Sequence, residues 1–285
     1  MIDLPLEVRT WLAEGGQGEV LSADPVDGGC IHQARSLRTA AGGRYFLKIN
    51  PSPSPGMFST EADGLQALQV TGGPVIPQVF LIGEDFLLLE DLQPGPRRAD
   101  FWSNYGTQLA LVHRQTNPRF GFEKDNYIGS SPQQNGWMED GLDFFKERRL
   151  RPQIRWGVDK GLLDPADARS CQGLLDKMPD LIPEMPSVLI HGDLWSGNLI
   201  TDAGGNPALI DPAVYFGWAE ADLAMAELFG SYPDRFYDAY QERNPLIPGF
   251  RERFPLYNLY HLLNHLNLFG RSYLSGVREV LRQFS

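Results

Sequence analysis

The sequence predicts an α+β fold of two lobes, a small β-rich N-lobe followed by a larger, mainly helical C-lobe. Strand-like apolar and aromatic runs dominate residues 1–92, helical periodicity dominates residues 93–285, and a turn-rich segment, Asp91-Leu92-Gln93-Pro94-Gly95-Pro96, lies where the two patterns meet. A chain of 285 residues also exceeds one typical compact core, so a cleft between two lobes is expected. The predicted lobes are 1–92, carrying a nucleotide site, and 93–285, carrying the catalytic and acceptor groups.

In the first lobe, Arg44-Tyr45-Phe46-Leu47-Lys48-Ile49-Asn50, Val79-Phe80-Leu81-Ile82-Gly83 and Phe86-Leu87-Leu88-Leu89-Glu90 read as strands bounded by turn residues. One helix interrupts them. Ser59 or Thr60 can cap it, and Glu61, Leu65 and Leu68 share a face at i, i+4 and i+7. After the linker, helical periods cover 105–114, 141–151, 165–178, 220–229, 233–242 and 256–269. Two short apolar strands, Ser187-Val188-Leu189-Ile190 and Ala208-Leu209-Ile210, stand among them.

Composition excludes several classes of function. The chain has 36 acids against 25 Lys and Arg, a net charge of −11, and no basic run to meet a phosphate backbone, so nucleic acid is not an expected partner. Pro, Gly or charge breaks every apolar stretch short of a bilayer span, and the start lacks a signal-peptide pattern, so the expected location is cytoplasmic with no membrane partner. Two cysteines, Cys30 and Cys171, suggest neither a disulfide framework nor a zinc site.

The most informative segment is His191-Gly192-Asp193-Leu194-Trp195-Ser196-Gly197-Asn198, preceded by one apolar strand and followed by a second that ends in Asp211-Pro212. His-x-Asp-Leu-x-x-x-Asn followed by a strand-terminal acid is the order a kinase-type phosphotransferase site requires. Asp193 would accept the proton of an attacking hydroxyl, while Asn198 and Asp211 would hold the Mg²⁺ that bridges ATP phosphates. The bland alternative is a pair of turns built from Gly, Asp and Pro.

On the nucleotide side, Lys48 within a strand and Glu61 on the apolar face of the next helix each need a charge partner, and each could serve the other. That pair would aim an ammonium at ATP phosphates; the alternatives are a snorkelling edge lysine and a solvated glutamate. Gly28, Gly29 and Cys30 form the candidate phosphate-covering turn, with a plain hairpin equally open. Gly15-Gly16-Gln17-Gly18 lies farther from Lys48 and reads as a turn. Glu90 and Leu92, flanking Asp91, would offer backbone groups to adenine by position alone.

On the acceptor side, Trp195 could pack on a polyol or anchor the loop in the core. Asn258, His261, Asn264, His265 and Asn267 interrupt an apolar helix, as packing groups, as a pocket wall or, at the His261/His265 spacing, as a partial metal site. Asp222 is expected to brace the catalytic loop through backbone N–H groups. His32 and His113 read as structural.

These residues resemble the fructosamine kinase (ketosamine 3-kinase) family, a branch of the aminoglycoside-phosphotransferase-like kinases. The resemblance runs through Gly28-Gly29-Cys30-Ile31, Phe46–Asn50, Met57-Phe58 with Glu61, Phe120-Gly121-Phe122, Pro132-Gln133 with Asn135 and Trp137, His191–Asn198, Asp211-Pro212-Ala213, Asp222-Leu223-Ala224 and Leu263-Asn264-His265. It implies a protein-kinase-like fold and ATP-dependent phosphorylation, with Mg²⁺, of the 3-hydroxyl of a ketosamine, either free or on a protein lysine. Elimination of the phosphate would then release the amine and reverse glycation. It also implies that Asp193 is the base, Asn198 and Asp211 hold metal, Lys48 and Glu61 hold phosphates, and Trp195 and His265 face the ketosamine. One departure is that the phosphate turn follows Pro25-Val26-Asp27 and has only two consecutive glycines.

Cys30, in that turn, is expected to be open to oxidation with ATP covering it, giving a monomer or a redox-linked dimer. A kinase for an aminoglycoside or amino alcohol, a catalytically silent nucleotide-binding module, and a metal-dependent hydrolase using His191, Asp193 and Asp211 stay open as alternatives.

Overall fold

The computed structural model describes residues 4–26 and 32–284. The chain opens with α1 (Leu6–Glu14), β1 (Val20–Val26), β2 (Gln33–Thr39), β3 (Arg44–Ile49), α2 (Met57–Ala67), β4 (Val79–Ile82) and β5 (Phe86–Glu90). The five strands form one antiparallel sheet in the order β1-β2-β3-β5-β4. Strand parity sorts the two faces. Tyr45, Leu47, Phe86 and Leu88 pack under α1 with Val8 and Leu12, whereas Leu87 and Leu89 pack with Phe58, Ala62 and Leu65 of α2. Lys48 pairs across to Ala34 and Leu87, so parity puts it on the α2 face.

Two expectations for this lobe need correction. The helix α1 was not anticipated, because its run is interrupted by polar residues and ends in Gly15-Gly16. Helix α2 starts earlier than expected, at Met57 with Gly56 as N-cap at φ 72°, so neither Ser59 nor Thr60 is the cap. Their hydroxyls instead donate to the carbonyls of Gly56 and Met57 inside the first turn. Gly28, Gly29 and Cys30 lie outside the described residues.

The C-terminal part continues with α3 (Phe101–Val112), β6 (Thr116–Asn117), β7 (Asn126–Ile128), β8 (Ser131–Gln133) and α4 (Gly141–Phe144). A π-helical turn, Phe145–Leu150, leads into α5 (Arg151–Asp159) and α6 (Pro165–Leu181), then β9 (Ser187–Ile190), β10 (Leu199–Thr201), β11 (Pro207–Leu209) and β12 (Tyr215–Gly217). Helices α7 (Ala219–Leu228), α8 (Asp234–Arg243) and α9 (Phe250–Phe269), a 3₁₀ turn (Arg271–Tyr273) and α10 (Leu274–Gln283) complete it. The largest core cluster joins α3, α6, α7, α8, α9 and α10 around β9. The fold is therefore the α+β arrangement expected, with an antiparallel sheet first and helices after it. No helix among the described residues is long and apolar enough to cross a membrane.

The helix expected over 141–151 is divided by the π-helical turn. The wider turn carries Arg149 inward, where its guanidinium is fully buried 3.9 Å above the Tyr215 ring and donates to Asn135 Oδ1 at 2.6 Å. Helix α9 begins at Phe250, ahead of the apolar pattern, with Pro255 inside it.

Candidate active site

The two strand ends flanking the His191 block meet in space. β9 delivers His191-Gly192-Asp193, and β11 ends immediately before Ile210-Asp211. The two loops are stitched together, with Ala213 N donating to His191 O at 2.9 Å and Ile210 N to Asn198 O at 3.1 Å. Gly192 is obligatory here. Its φ is +81°, and a Cβ would stand 2.1 Å from the Ala213 carbonyl oxygen.

Asp222, buried on α7, anchors the turn. Its carboxylate accepts from His191 N at 2.6 Å and Gly192 N at 2.8 Å. His113 Nε2 lies 3.2 Å from the same carboxylate, and its Nδ1 reaches Tyr240. Burial would raise the Asp222 carboxyl, but the hydrogen bond and charge of His113, then His191 and the Gly192 N–H, hold it below the ordinary range. His113 is thus a brace behind the loop, and Asp222 contacts the backbone N–H groups expected of it.

Asp193 sits beyond this anchor. Asn198 Nδ2 donates to the Asp193 carbonyl at 2.9 Å and to its carboxylate at 3.2 Å. Burial, then repulsion from Asp211, pushes the Asp193 carboxyl up to about 7, against the Asn198 hydrogen bond. A carboxylate with that value can take a proton near neutrality.

Lys48 joins the two lobes. Its ammonium lies 2.5 Å from Glu61 Oε1 and also pairs with Asp211. Lys48 and Glu61 are nearly enclosed, while the Asp211 side chain is 42% exposed and remains open to the cleft. Burial alone would lower the Lys48 pKa; the carboxylates of Asp211 and Glu61 more than reverse this. Burial would raise Asp211 too, and Lys48 holds it low. Asp211 has φ +57°, a left-handed conformation that aspartate tolerates better than most residues. Helix α2 rests on the following segment through Gly64, where a Cβ would meet Pro212 and Val214 at 3.2 Å.

A buried amide network supports that segment from behind. Gln133 Nε2 donates to Ala213 O at 3.0 Å, Asn126 Nδ2 to Val214 O at 2.9 Å, and Asn135 Nδ2 to Asn126 Oδ1 at 2.8 Å. Tyr260 of α9 donates to Gln133 Oε1 at 2.8 Å, tying the acceptor-side helix to the Asp211 segment. Gln133 and Asn135 stood out in the sequence without a role; only the fold supplies one.

The hinge groups differ. The Glu90 N–H is committed to Gln78 O at 2.8 Å, whereas Leu92 is buried and its backbone groups have no hydrogen bond among the described residues. Asp91 accepts from Ser36 at 2.6 Å. On the opposite side, Trp195 is half-buried with its ring 6.3 Å from Phe229, which stands 5.1 Å from His265. His265 Nδ1 lies 2.7 Å from the His261 carbonyl, so the two histidines are linked along the helix. His32, read as structural, packs at a tilt on Phe58 with ring centroids 4.9 Å apart, and its pKa is lowered to about 4, first by burial and then by Lys48.

No cluster of three or more His, Cys, Asp or Glu suited to a metal occurs among the described residues. Asp211 with the Asn198 amide instead offers the small oxygen set that suffices for Mg²⁺ when phosphates and water complete its shell. The site thus combines a near-neutral proton acceptor, a caged ammonium and an exposed carboxylate within one interlobe cleft.

Known proteins with the same architecture carry consistent names. A provisionally named ketoamine kinase of Enterococcus faecium is 40% identical over 271 residues, covering 91% of this chain and 94% of its own. The chloroplastic protein-ribulosamine 3-kinase of Arabidopsis thaliana is 37% identical, covering 97% and 87% respectively. A crystal structure from Thermobifida fusca, provisionally designated a fructosamine-3-kinase, superposes with a TM-score of 0.89 at 34% identity over 99% of both chains. The aminoglycoside phosphotransferase APH(4)-Ia, at 19% identity and a TM-score of 0.62, shares the fold. The fructosamine kinase profile matches residues 7–285. Its span takes in both lobes and the cleft between them, and the chain belongs to the fructosamine kinase family of hydroxyl-directed kinases.

Proposed function

We propose that this protein transfers the γ-phosphoryl group of ATP to the 3-hydroxyl of a ketosamine of the fructosamine or ribulosamine type, free or on a protein lysine. Asp193 accepts the hydroxyl proton as the oxygen–phosphorus bond forms and the bond to ADP breaks. Lys48, steadied by Glu61, meets the phosphates, and Gly28, Gly29 and Cys30 are the further residues that the sequence offers to them. Asn198 and Asp211 hold Mg²⁺, which supplies charge neutralisation when bound. Leu92 offers hinge backbone to adenine, and Glu90 contributes its carbonyl at most, since its N–H is taken. Trp195 and His265 flank the acceptor.

The single observation carrying this reading is the Lys48 ammonium held between Glu61 and Asp211, in the same cleft as Asp193 and Asn198. A silent module would not need a proton acceptor tuned to about 7. A hydrolase would have no use for the Lys48–Glu61 pair. A 3-phosphorylated ketosamine loses phosphate from carbon 3 as a proton leaves carbon 1, which the neighbouring carbonyl acidifies, and water hydrolyses the resulting imine to free the amine, making the reaction a repair of glycated amines. The proposed setting is cytoplasmic.

The test is turnover of ATP and Mg²⁺ with fructosamine, ribulosamine and aminoglycoside acceptors, with the phosphorylated carbon assigned by NMR. Product phosphorylated at carbon 3 of a ketosamine is expected. Turnover of aminoglycosides alone, or phosphate on another carbon, would replace this reading.

A further inference from the structure

Arg149 is fully buried, and every hydrogen-bond acceptor it meets is neutral. Its guanidinium donates to Asn135 Oδ1 at 2.6 Å, to Gln134 O at 2.5 Å and to Arg148 O at 3.2 Å. It lies 3.9, 4.7 and 5.7 Å from the ring centroids of Tyr215, Phe144 and Tyr260, and no carboxylate pairs with it among the described residues. A buried charge without a counter-charge is costly, and apolar side chains of similar volume often fill such a space as well. What an apolar side chain cannot supply is direction.

The amide network behind Asp211 is where direction matters. A side-chain amide has a donor end and an acceptor end, whereas a guanidinium can only donate. Arg149 therefore fixes the Asn135 amide with its oxygen inward, which leaves Asn135 Nδ2 to donate to Lys124 O at 3.0 Å and to Asn126 Oδ1 at 2.8 Å. Asn126 and Gln133 are cross-strand partners in β7 and β8. Asn126 Oδ1 also accepts from Gln133 Nε2 at 2.7 Å, so the Asn126 amide turns its nitrogen the other way, to Val214 O at 2.9 Å. Gln133 Nε2 reaches Ala213 O at 3.0 Å, and its Oε1 accepts from the Tyr260 hydroxyl at 2.8 Å. All three amides are buried, so none can exchange a lost partner for water. Reversing any one of them would set oxygen against oxygen.

This relay ends on the carbonyls two and three residues after Asp211, a residue that needs such support. Its φ is +57° and Pro212 follows it, a combination that persists only where the surroundings hold it. Lys48 holds its side chain from the cleft.

We propose that Arg149 is a positioning residue for Asp211: it sets the polarity of the Asn135–Asn126–Gln133 relay, whose terminal donors hold the Asp211 backbone in the conformation that presents its carboxylate to metal. The inference rests on the reading of Asp211 as a Mg²⁺ ligand and extends it to the group that aims the ligand. The π-helical turn Phe145–Leu150 then has a use, since its wider turn is what carries Arg149 inward.

The experiment follows Mn²⁺, as the probe for Mg²⁺, binding to ADP-loaded protein by EPR in wild type, Arg149→Met, Arg149→Lys and Gln133→Met. The Mg²⁺ concentration for half-maximal turnover and the ketosamine KM are measured alongside. Arg149→Met should weaken Mn²⁺ binding about tenfold or more, the usual cost of losing a group that orients a metal ligand, and raise the Mg²⁺ requirement while the ketosamine KM stays within about twofold. Arg149→Lys keeps a donor-only group facing Asn135 and should recover most of the loss. Gln133→Met leaves Arg149 and Asn135 in place, cuts the last donor to Ala213, and should weaken Mn²⁺ binding by a similar factor; it decides the matter if Arg149→Met does not fold. Unchanged Mn²⁺ affinity in Gln133→Met, or a lowered thermal midpoint in Arg149→Met with wild-type Mn²⁺ affinity, would overturn the inference alone. No Mn²⁺ binding by ADP-loaded wild type would overturn the metal reading of Asp211 and this inference with it.

Discussion

Replacing Asp193 by Asn should separate catalysis from stability in opposite directions. The substitution keeps an oxygen acceptor for Asn198 Nδ2, now 3.2 Å away, and removes only the charge. Phosphoryl transfer should fall by about 10²–10⁴, the usual worth of a general base, while nucleotide binding through Lys48 persists. The folded carboxyl is raised from 3.8 to about 7, which corresponds to about 4 kcal/mol for a fully enclosed charge. Asp193 is only partly buried, and solvent screening reduces this to ~1–3 kcal/mol.

Because the folded value lies above the unfolded one, this cost is absent below pH 3.8, grows as the pH rises toward about 7, and is complete above that. Wild type should therefore lose stability across that window relative to Asp193→Asn. The assay is urea unfolding of nucleotide-free protein at pH 5 and pH 8, beside steady-state turnover. The variant should be the more stable at pH 8, with a smaller gap at pH 5. A pH-independent gap would refute the buried-charge argument, and near-normal turnover would refute the role as base.

Asp211→Ala should abolish Mg²⁺-dependent nucleotide binding, and an unchanged metal titration would remove Asp211 from the site. Trp195→Ala or His265→Ala should raise the ketosamine KM or lower kcat while slow ATP hydrolysis continues; a change in the ATP KM alone would move the acceptor wall elsewhere. Alkylation of Cys30 should inactivate the enzyme and Mg²⁺–ATP should protect it, with non-reducing gels reporting any disulfide-linked dimer; equal sensitivity of Cys30→Ala would end the redox proposal. Away from the cleft, buried Glu220 accepts from Arg253 at 2.5 and 2.8 Å and from Tyr257 at 3.0 Å, so Arg253→Ala should cost about 3–5 kcal/mol in urea unfolding, with Glu220→Gln in the same chain recovering part of it. Loss of well under 1 kcal/mol would mean that the enclosed carboxylate finds another partner.

The sequence by itself determined the order of the two lobes, the β9 strand ahead of Asp193, the need of Lys48 and Glu61 for charge partners, and the resemblance to the family. These are local or periodic signals, since side-chain direction along a strand or helix follows from backbone geometry alone. It could not reveal that Lys48 also holds Asp211, 163 residues away, nor that the π-helical turn buries Arg149 behind Asn135. The start of α2 at Met57 was hidden because its left-handed N-cap, Gly56, leaves no side-chain signature, whereas Ser59 and Thr60 look like caps and are not. Strands β6, β10 and β12 are two or three residues long, too short to show a period, and exist only because neighbouring chain pairs with them. The aromatic contacts at the ends of α7 and α9 are the same case: Trp195, Phe229 and Phe269 come from a loop and two helix ends. Only packing of α7 against α9 decides that their rings share one surface, because no local periodicity relates the ends of separate elements.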